Sequence, residues 1–233
     1  MRRYLVIVAV LVLLGGVIGA AYGLSQPPSQ KAIAASFEGL HKYRFTREVE
    51  FKQYDVRIVG SGTSKVVQKK FLYTGRIVTT GTVDLVKGTV KEHEEAYVNG
   101  SLVMVANAVF DLGGGKVSGV VTLPDGTKKD LAEFLRDSYG IDEKRAIEML
   151  QANLPTILLR DAVLHSSSLR AVSPSPGDRI MMGLGLKEKL FEYRFTTDNR
   201  MEWKVFVDSQ GRPVKFEYTR EDAHMVVTIT PLG

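Results

Sequence analysis

Residues 94–112 read EEAYVNGSLVMVANAVFDL, and the Asn99-Gly100 pair near their centre decides the fold. Asn-Gly tolerates the positive φ angles of a tight two-residue hairpin turn. Tyr97-Val98 precedes it and Ser101-Leu102-Val103 follows, so Glu94–Val98 pairs back on Leu102–Leu112. The same two-residue period extends outward from this hairpin. Toward the N-terminus, Tyr43, Phe45, Val49 and Phe51 alternate with Arg44, Thr46, Glu48 and Glu50. Tyr54–Gly60 reads as a second strand, Val66–Thr80 as a third and Thr82–Val90 as a fourth. Toward the C-terminus, Gly113-Gly114-Gly115 breaks the run, Val117–Leu123 resumes it, and Pro124-Asp125-Gly126 closes it.

The middle of the chain changes period. Lys31–His41 carries Ile33, Phe37 and Leu40 at helical spacing. Asp130–Tyr139 and Asp142–Gln151 do the same with Leu131, Phe134, Leu135, Ile147, Met149 and Leu150, and each starts on an aspartate suited to an N-cap. Asn153 and Pro155 open a further helix that buries Leu154, Ile157 and Leu158. Ser166-Ser167-Ser168 and Ser173-Pro174-Ser175-Pro176-Gly177 read as exposed loop. Strands return over Leu184–Thr197, Met201–Asp208, Pro213–Thr219 and His224–Thr230. Hairpin-length connections argue antiparallel pairing, and segregated helices make the class α+β. A sheet of this size must be covered or curl, and the helical insert at about 130–165 is the natural cover. Tyr-Arg-Phe-Thr occurs at 43–46 and 193–196, with flanks that do not match.

Before all this stands an unbroken apolar run, Tyr4–Leu24, preceded by Arg2-Arg3. Its 21 residues would rise about 30 Å as a helix, enough to span a hydrocarbon core. Paired arginines favour the cytoplasmic side, so residues 1–24 read as a transmembrane signal-anchor or a cleaved signal peptide. Residues 25–30 form a Pro-containing linker, and 31–233 an extracytoplasmic domain. The chain of 233 residues holds no cysteine, which excludes disulfides and a lipidated N-terminal cysteine. Beyond residue 24, 29 basic residues face 26 acidic ones, a net +3 in mixed distribution. That lacks the clustered cations of a nucleic-acid surface.

The final hairpin, Trp203-Lys204-Val205-Phe206-Val207-Asp208 followed by Gly211-Arg212-Pro213-Val214-Lys215-Phe216, resembles the closing strands of the LolA/LppX-like lipoprotein-carrier superfamily. The match covers about residues 201–219. It implies a half-open barrel, in which one strongly curved antiparallel sheet wraps helices and leaves an apolar cavity for acyl chains. The expected lining is Phe71, Tyr73, Phe134, Leu150, Leu154, Leu158, Phe191, Tyr193, Phe195, Trp203, Val205, Phe216 and Tyr218.

No residue pattern here assembles an enzyme, a cofactor site or a metal site. Lys91-Glu92-His93-Glu94-Glu95 reads as a solvated charged strand, with His93 and Glu95 on one side and Glu92 and Glu94 on the other. His165 beside three serines lacks a nucleophile-elbow pattern. The glycine triplet lacks the Walker spacing, and the Asp-Gly turns lack an EF-type array of acids. Two functions remain. One is a membrane-anchored extracytoplasmic protein that binds or carries a lipid or other hydrophobic ligand. The other is a cell-surface structural or protein-interaction domain with an envelope protein as partner and no small ligand.

Overall fold

The computed structural model of the chain describes residues 28–59, 66–164, 166, 169–184, 186, 189–197 and 201–232. The expected membrane segment and His165 lie outside them. Among the described residues no helix is long and apolar enough to cross a membrane.

Among the described residues eleven strands form one open antiparallel sheet: β1 Lys42–Val59, β2 Val66–Asp84, β3 Thr89–Val98, β4 Ser101–Asp111, β5 Lys116–Thr122, β6 Lys128–Asp130, β7 Arg170–Val172, β8 Phe191–Thr196, β9 Glu202–Val207, β10 Pro213–Arg220 and β11 Ala223–Pro231. Their spatial order is β6-β5-β4-β3-β2-β1-β11-β10-β9-β8-β7. The first and last strands therefore sit side by side in the middle, with Tyr43 opposite Pro231 and Phe51 opposite Ala223. Two meanders, one from each half of the chain, meet along that seam.

Among the described residues five helices accompany the sheet: α1 Gln30–Glu38, α2 Leu131–Tyr139, α3 Glu143–Ala152, α4 Pro155–Leu164 and α5 Pro176–Gly183. The expected aspartates do cap their helices. Asp130 accepts from the Glu133 N–H and Asp142 from the Arg145 N–H. Gly140 ends α2 at φ +66°, a left-handed value that glycine adopts without strain. Tyr43 and Thr156 join their hydroxyls at 3.0 Å, fastening α4 to β1, and burial pushes the Tyr43 phenol pKa upward.

One face of the sheet is buried. Tyr43, Phe45, Val83, Val90, Phe110, Val121, Phe191, Val205, Phe216 and Ile229 lie on it, and the helices add Ile33, Leu131, Ile147, Leu154 and Leu159 to the same core. Both Tyr-Arg-Phe-Thr segments sit in strands with Tyr and Phe buried and Arg and Thr exposed.

Several boundaries differ from the sequence reading. β1 runs unbroken through Lys52-Gln53, because no turn residue interrupts it there. β2 passes straight through Gly81, and the turn falls later, at Gly88 with φ +64°. Gly81 stays in the strand because the Phe45 ring occupies the space its side chain would need. The expected loop at 173–177 leads directly into α5. The Ser175 hydroxyl accepts from the Asp178 N–H, and Pro176 takes the first helical position. The short strands β6 and β7 have three residues each, too few to show a period.

Beyond Lys52 and Thr74, among the described residues, β1 and β2 pair with each other alone and form a two-stranded arm. A bulge marks its root: Gln53 faces Tyr73 but Tyr54 faces Phe71, leaving Leu72 extra.

Candidate functional site

A cleft of about 350 Å³ opens between β3–β5 and α2. Its roof is the apolar face of α2, Leu131, Phe134 and Leu135, with Tyr139 and Ile141 at the helix end. Its floor is Met104, Ala106, Ala108 and Phe110 of β4 and Val121 of β5. The volume follows from the sequence. Ala106 and Ala108 are the smallest side chains available on that face, and Gly119 stands opposite Ala108 on β5. Gly119 has φ +147°, and a Cβ there would fall 2.0 Å from the Asn107 carbonyl oxygen. Small residues under a bulky helix leave a space at the lower end of the ~300–1,000 Å³ range of small-molecule sites.

Two carboxylates, Glu92 and Glu94, enter this apolar cleft from β3. They share parity with Val90, which is fully buried, so they point to the covered face while His93 and Glu95 point outward. This corrects the expectation of a uniformly solvated charged strand. Alternation had put them opposite His93. The legible signal was two acids in phase with Val90 and Ala96.

The carboxylates belong to a polar strip across three strands. The Arg47 guanidinium on β1 donates to the Thr79 hydroxyl on β2 at 3.3 Å, and that hydroxyl donates to Glu94 at 3.4 Å. Thr79 is fully buried. Glu92 makes no hydrogen bond among the described residues, and desolvation pushes its carboxyl pKa above the usual 4.5. The nearby Arg47 charge opposes that shift and Glu94 adds to it. On the other side of Arg47 lies a second, smaller hollow of about 70 Å³, walled by Asn153, Pro155 and Leu158 and by Phe216, Tyr218, Met225 and Val227. The strip thus stands between two apolar compartments.

The residues expected to line a cavity separate into three groups. Phe134 lines the larger cleft, and Leu158, Phe216 and Tyr218 line the smaller hollow. Leu154, Phe191, Tyr193, Phe195, Trp203 and Val205 are buried core, with Leu150 packed against it. Trp203 stacks on Phe195 at 5.7 Å and on Phe216 at 6.0 Å, and its indole N–H is buried without a hydrogen-bond partner among the described residues. The Tyr193 hydroxyl donates to the Pro28 carbonyl, tying the start of the described chain to β8. Burial pushes its pKa up to about 12.

Phe71 and Tyr73 lie on the arm, outside both compartments. Regular alternation would set them on one face. The bulge at Leu72 turns Phe71 to the opposite face, where it meets Tyr54 edge-on at 5.9 Å and remains 51% exposed. Sequence reasoning missed Arg47, Thr79, Glu92, Glu94 and the alanine floor.

No protein-family model matches the chain, and no curated protein matches it. Several solved structures are similar to it, among them the following two. One is a β-barrel-like protein of the DUF1849 domain of unknown function from Brucella abortus, 12% identical, covering 83% of this chain and 98% of that chain at TM-score 0.31. The other is a DUF1329 family protein from Desulfovibrio piger, 9% identical, covering 91% of each chain at TM-score 0.26. At such TM-scores neither likeness carries a functional argument.

Proposed function

We propose that this protein binds or carries a lipid or another hydrophobic ligand, tethered outside a cell membrane by residues 4–24, in a half-open barrel of the lipoprotein-carrier kind. The observation that supports this reading is the apolar cleft between α2 and β3–β5, floored by alanines where a packed core would hold leucine or phenylalanine. Ligand affinity comes from burial there, about 0.8 kcal/mol for each methylene removed from water. The test is saturable uptake of a fluorescent fatty-acyl analogue by full-length protein stripped of lipid. Ala106→Leu/Ala108→Leu fills the floor and should abolish uptake while the protein still unfolds cooperatively. Undiminished uptake in that filled variant would remove the cleft as the site.

A second reading, a protein-interaction domain, rests on the arm. Val56, Val67, Phe71 and Leu72 are each about half exposed there, and neither edge of the two-stranded ribbon pairs with another strand among the described residues. Photocrosslinking from position 71 in intact membranes should then trap one stoichiometric protein neighbour. A ladder of unrelated products would count against it.

A further inference from the structure

The cleft is apolar on every wall but one, and that wall is anionic. Glu92 and Glu94 face into it, and the positive charge facing them from β1 is Arg47. Arg47 is engaged through Thr79 with Glu94. When both carboxylates are ionised, two of them against one guanidinium leave one negative charge without a counterion among the described residues. Such a charge is costly unless a partner of opposite sign arrives. One flanking position makes room for that partner. On β4, opposite Glu92, stands Ala108, whose short side chain leaves the carboxylate open toward the alanine floor; on the β2 side the space over Gly81 is filled by the Phe45 ring.

We propose that the cleft selects amphiphiles by their polar end: it takes an apolar chain headed by a protonated primary amine, seated on Glu92 and Glu94, and rejects the same chain headed by a carboxylate. This inference rests on the ligand-binding reading above and adds the head-group chemistry to it. The ammonium group supplies three donors and a charge that complements the strip, while the chain lies between the alanine floor and Phe134. A fatty acid would bring a second anion to an already anionic wall. An alcohol would bring one donor and no charge, and falls between the two.

The experiment uses full-length protein in nanodiscs with methyl-labelled alanine and methionine. Octylammonium, octanol and octanoate, equal in chain length, are titrated separately while the Ala106, Ala108 and Met104 methyl signals are followed. Octylammonium should shift these methyls saturably and at least tenfold more tightly than octanoate. Glu92→Gln/Glu94→Gln should lose the preference for octylammonium over octanol and still bind octanol. Octanoate binding as tightly as octylammonium would overturn the head-group assignment and leave the hydrophobic cleft standing. Methyls unmoved by all three compounds would overturn both.

Discussion

Phe45 shows how a single residue pair holds the sheet together. Its ring lies over Gly81 on the neighbouring strand, where an added Cβ would stand 2.5 Å from the ring and 2.9 Å from the Lys91 carbonyl oxygen. Gly81→Ala therefore forces the ring or the β2–β3 ladder to move, and should cost about 1–3 kcal/mol in urea unfolding. Phe45→Ala alone should cost about 3–5 kcal/mol. In the double variant the two costs should fall short of their sum, since removing the ring frees the space the alanine needs. Strict additivity would show that the ring does not set the requirement for glycine. Glu92 gives a prediction with a definite sign. Its folded pKa is raised above 4.5 by burial, with Arg47 and Tyr43 facing it from β1, Glu94 beside it on β3, and Tyr139 from α2 across the cleft. Between the unfolded and folded values the folded state binds more protons, so stability falls as pH rises through that window. The contribution is complete below the unfolded pKa and lost above the folded one. Glu92→Gln cannot titrate, so the melting temperature of the parent relative to this variant should decline from about pH 4 upward. A constant difference across that range would place Glu92 in water. Local chemistry was the most legible part of the chain. Asp130 and Asp142 cap by side-chain reach to their own third residue, and Asn99 takes φ +49° at the turn its sequence implied. The destination of Phe71 was not legible, because one extra residue in β2 reverses a face and leaves no mark in the alternation.

Among the elements, the arm is held differently from the rest of β1 and β2. From Tyr43 to Phe51, β1 is paired on both sides, by β2 and β11. Beyond Lys52, among the described residues, β2 is its one strand neighbour and no helix packs on it. A lone two-stranded hairpin is marginal in water, and local opening is easiest where few apolar contacts resist it. Hydrogen exchange should separate the two parts: amides at Tyr54, Val56, Lys69 and Phe71 should exchange at least tenfold faster than those at Phe45, Arg47, Thr79 and Gly81. Equal protection along both strands would mean that another surface covers the arm. The helices follow the opposite logic. α2 keeps its place by burying Leu131 against the core while Phe134 and Leu135 close the cleft. Its existence, start and apolar face were readable, because capping and period lie within a dozen residues. Its distance from β4 was not, since it depends on Ala106 and Ala108 being small where the strand pattern requires no more than apolar side chains.

At the scale of the molecule, the seam between β1 and β11 decides whether there is one cooperative unit. It joins residues from opposite ends of the chain, Phe45 opposite Ile229 and Val49 opposite Met225. No sequence period reports such a pairing. The strands could be named from their alternation, but their order could not. Nearest-neighbour pairing, by hairpins everywhere except across α5 between β7 and β8, suffices to build the β2–β6 and β7–β10 meanders, and nothing local says that the two halves close on each other through the first and last strands. The energetic weight of the seam is large. β11 buries Met225, Val227 and Ile229, at about 1.5–3 kcal/mol each, against a total stability of ~5–15 kcal/mol for an ordinary domain. Deleting residues 223–233 from the full chain should therefore abolish the cooperative urea transition, and the remaining meanders should lose protection together. Kinetics should carry the same signature. Loop closure between the two ends precedes any gain from pairing them, so refolding should be slow, in the millisecond-to-second range of non-local β proteins. Val227→Ala on the seam should slow refolding if the seam forms in the transition state, and otherwise should mainly speed unfolding. If the truncated chain keeps a full unfolding transition, the halves are independent and the seam merely docks them. In that case the cleft, which lies wholly on the β2–β6 side, should keep its ligand without β11.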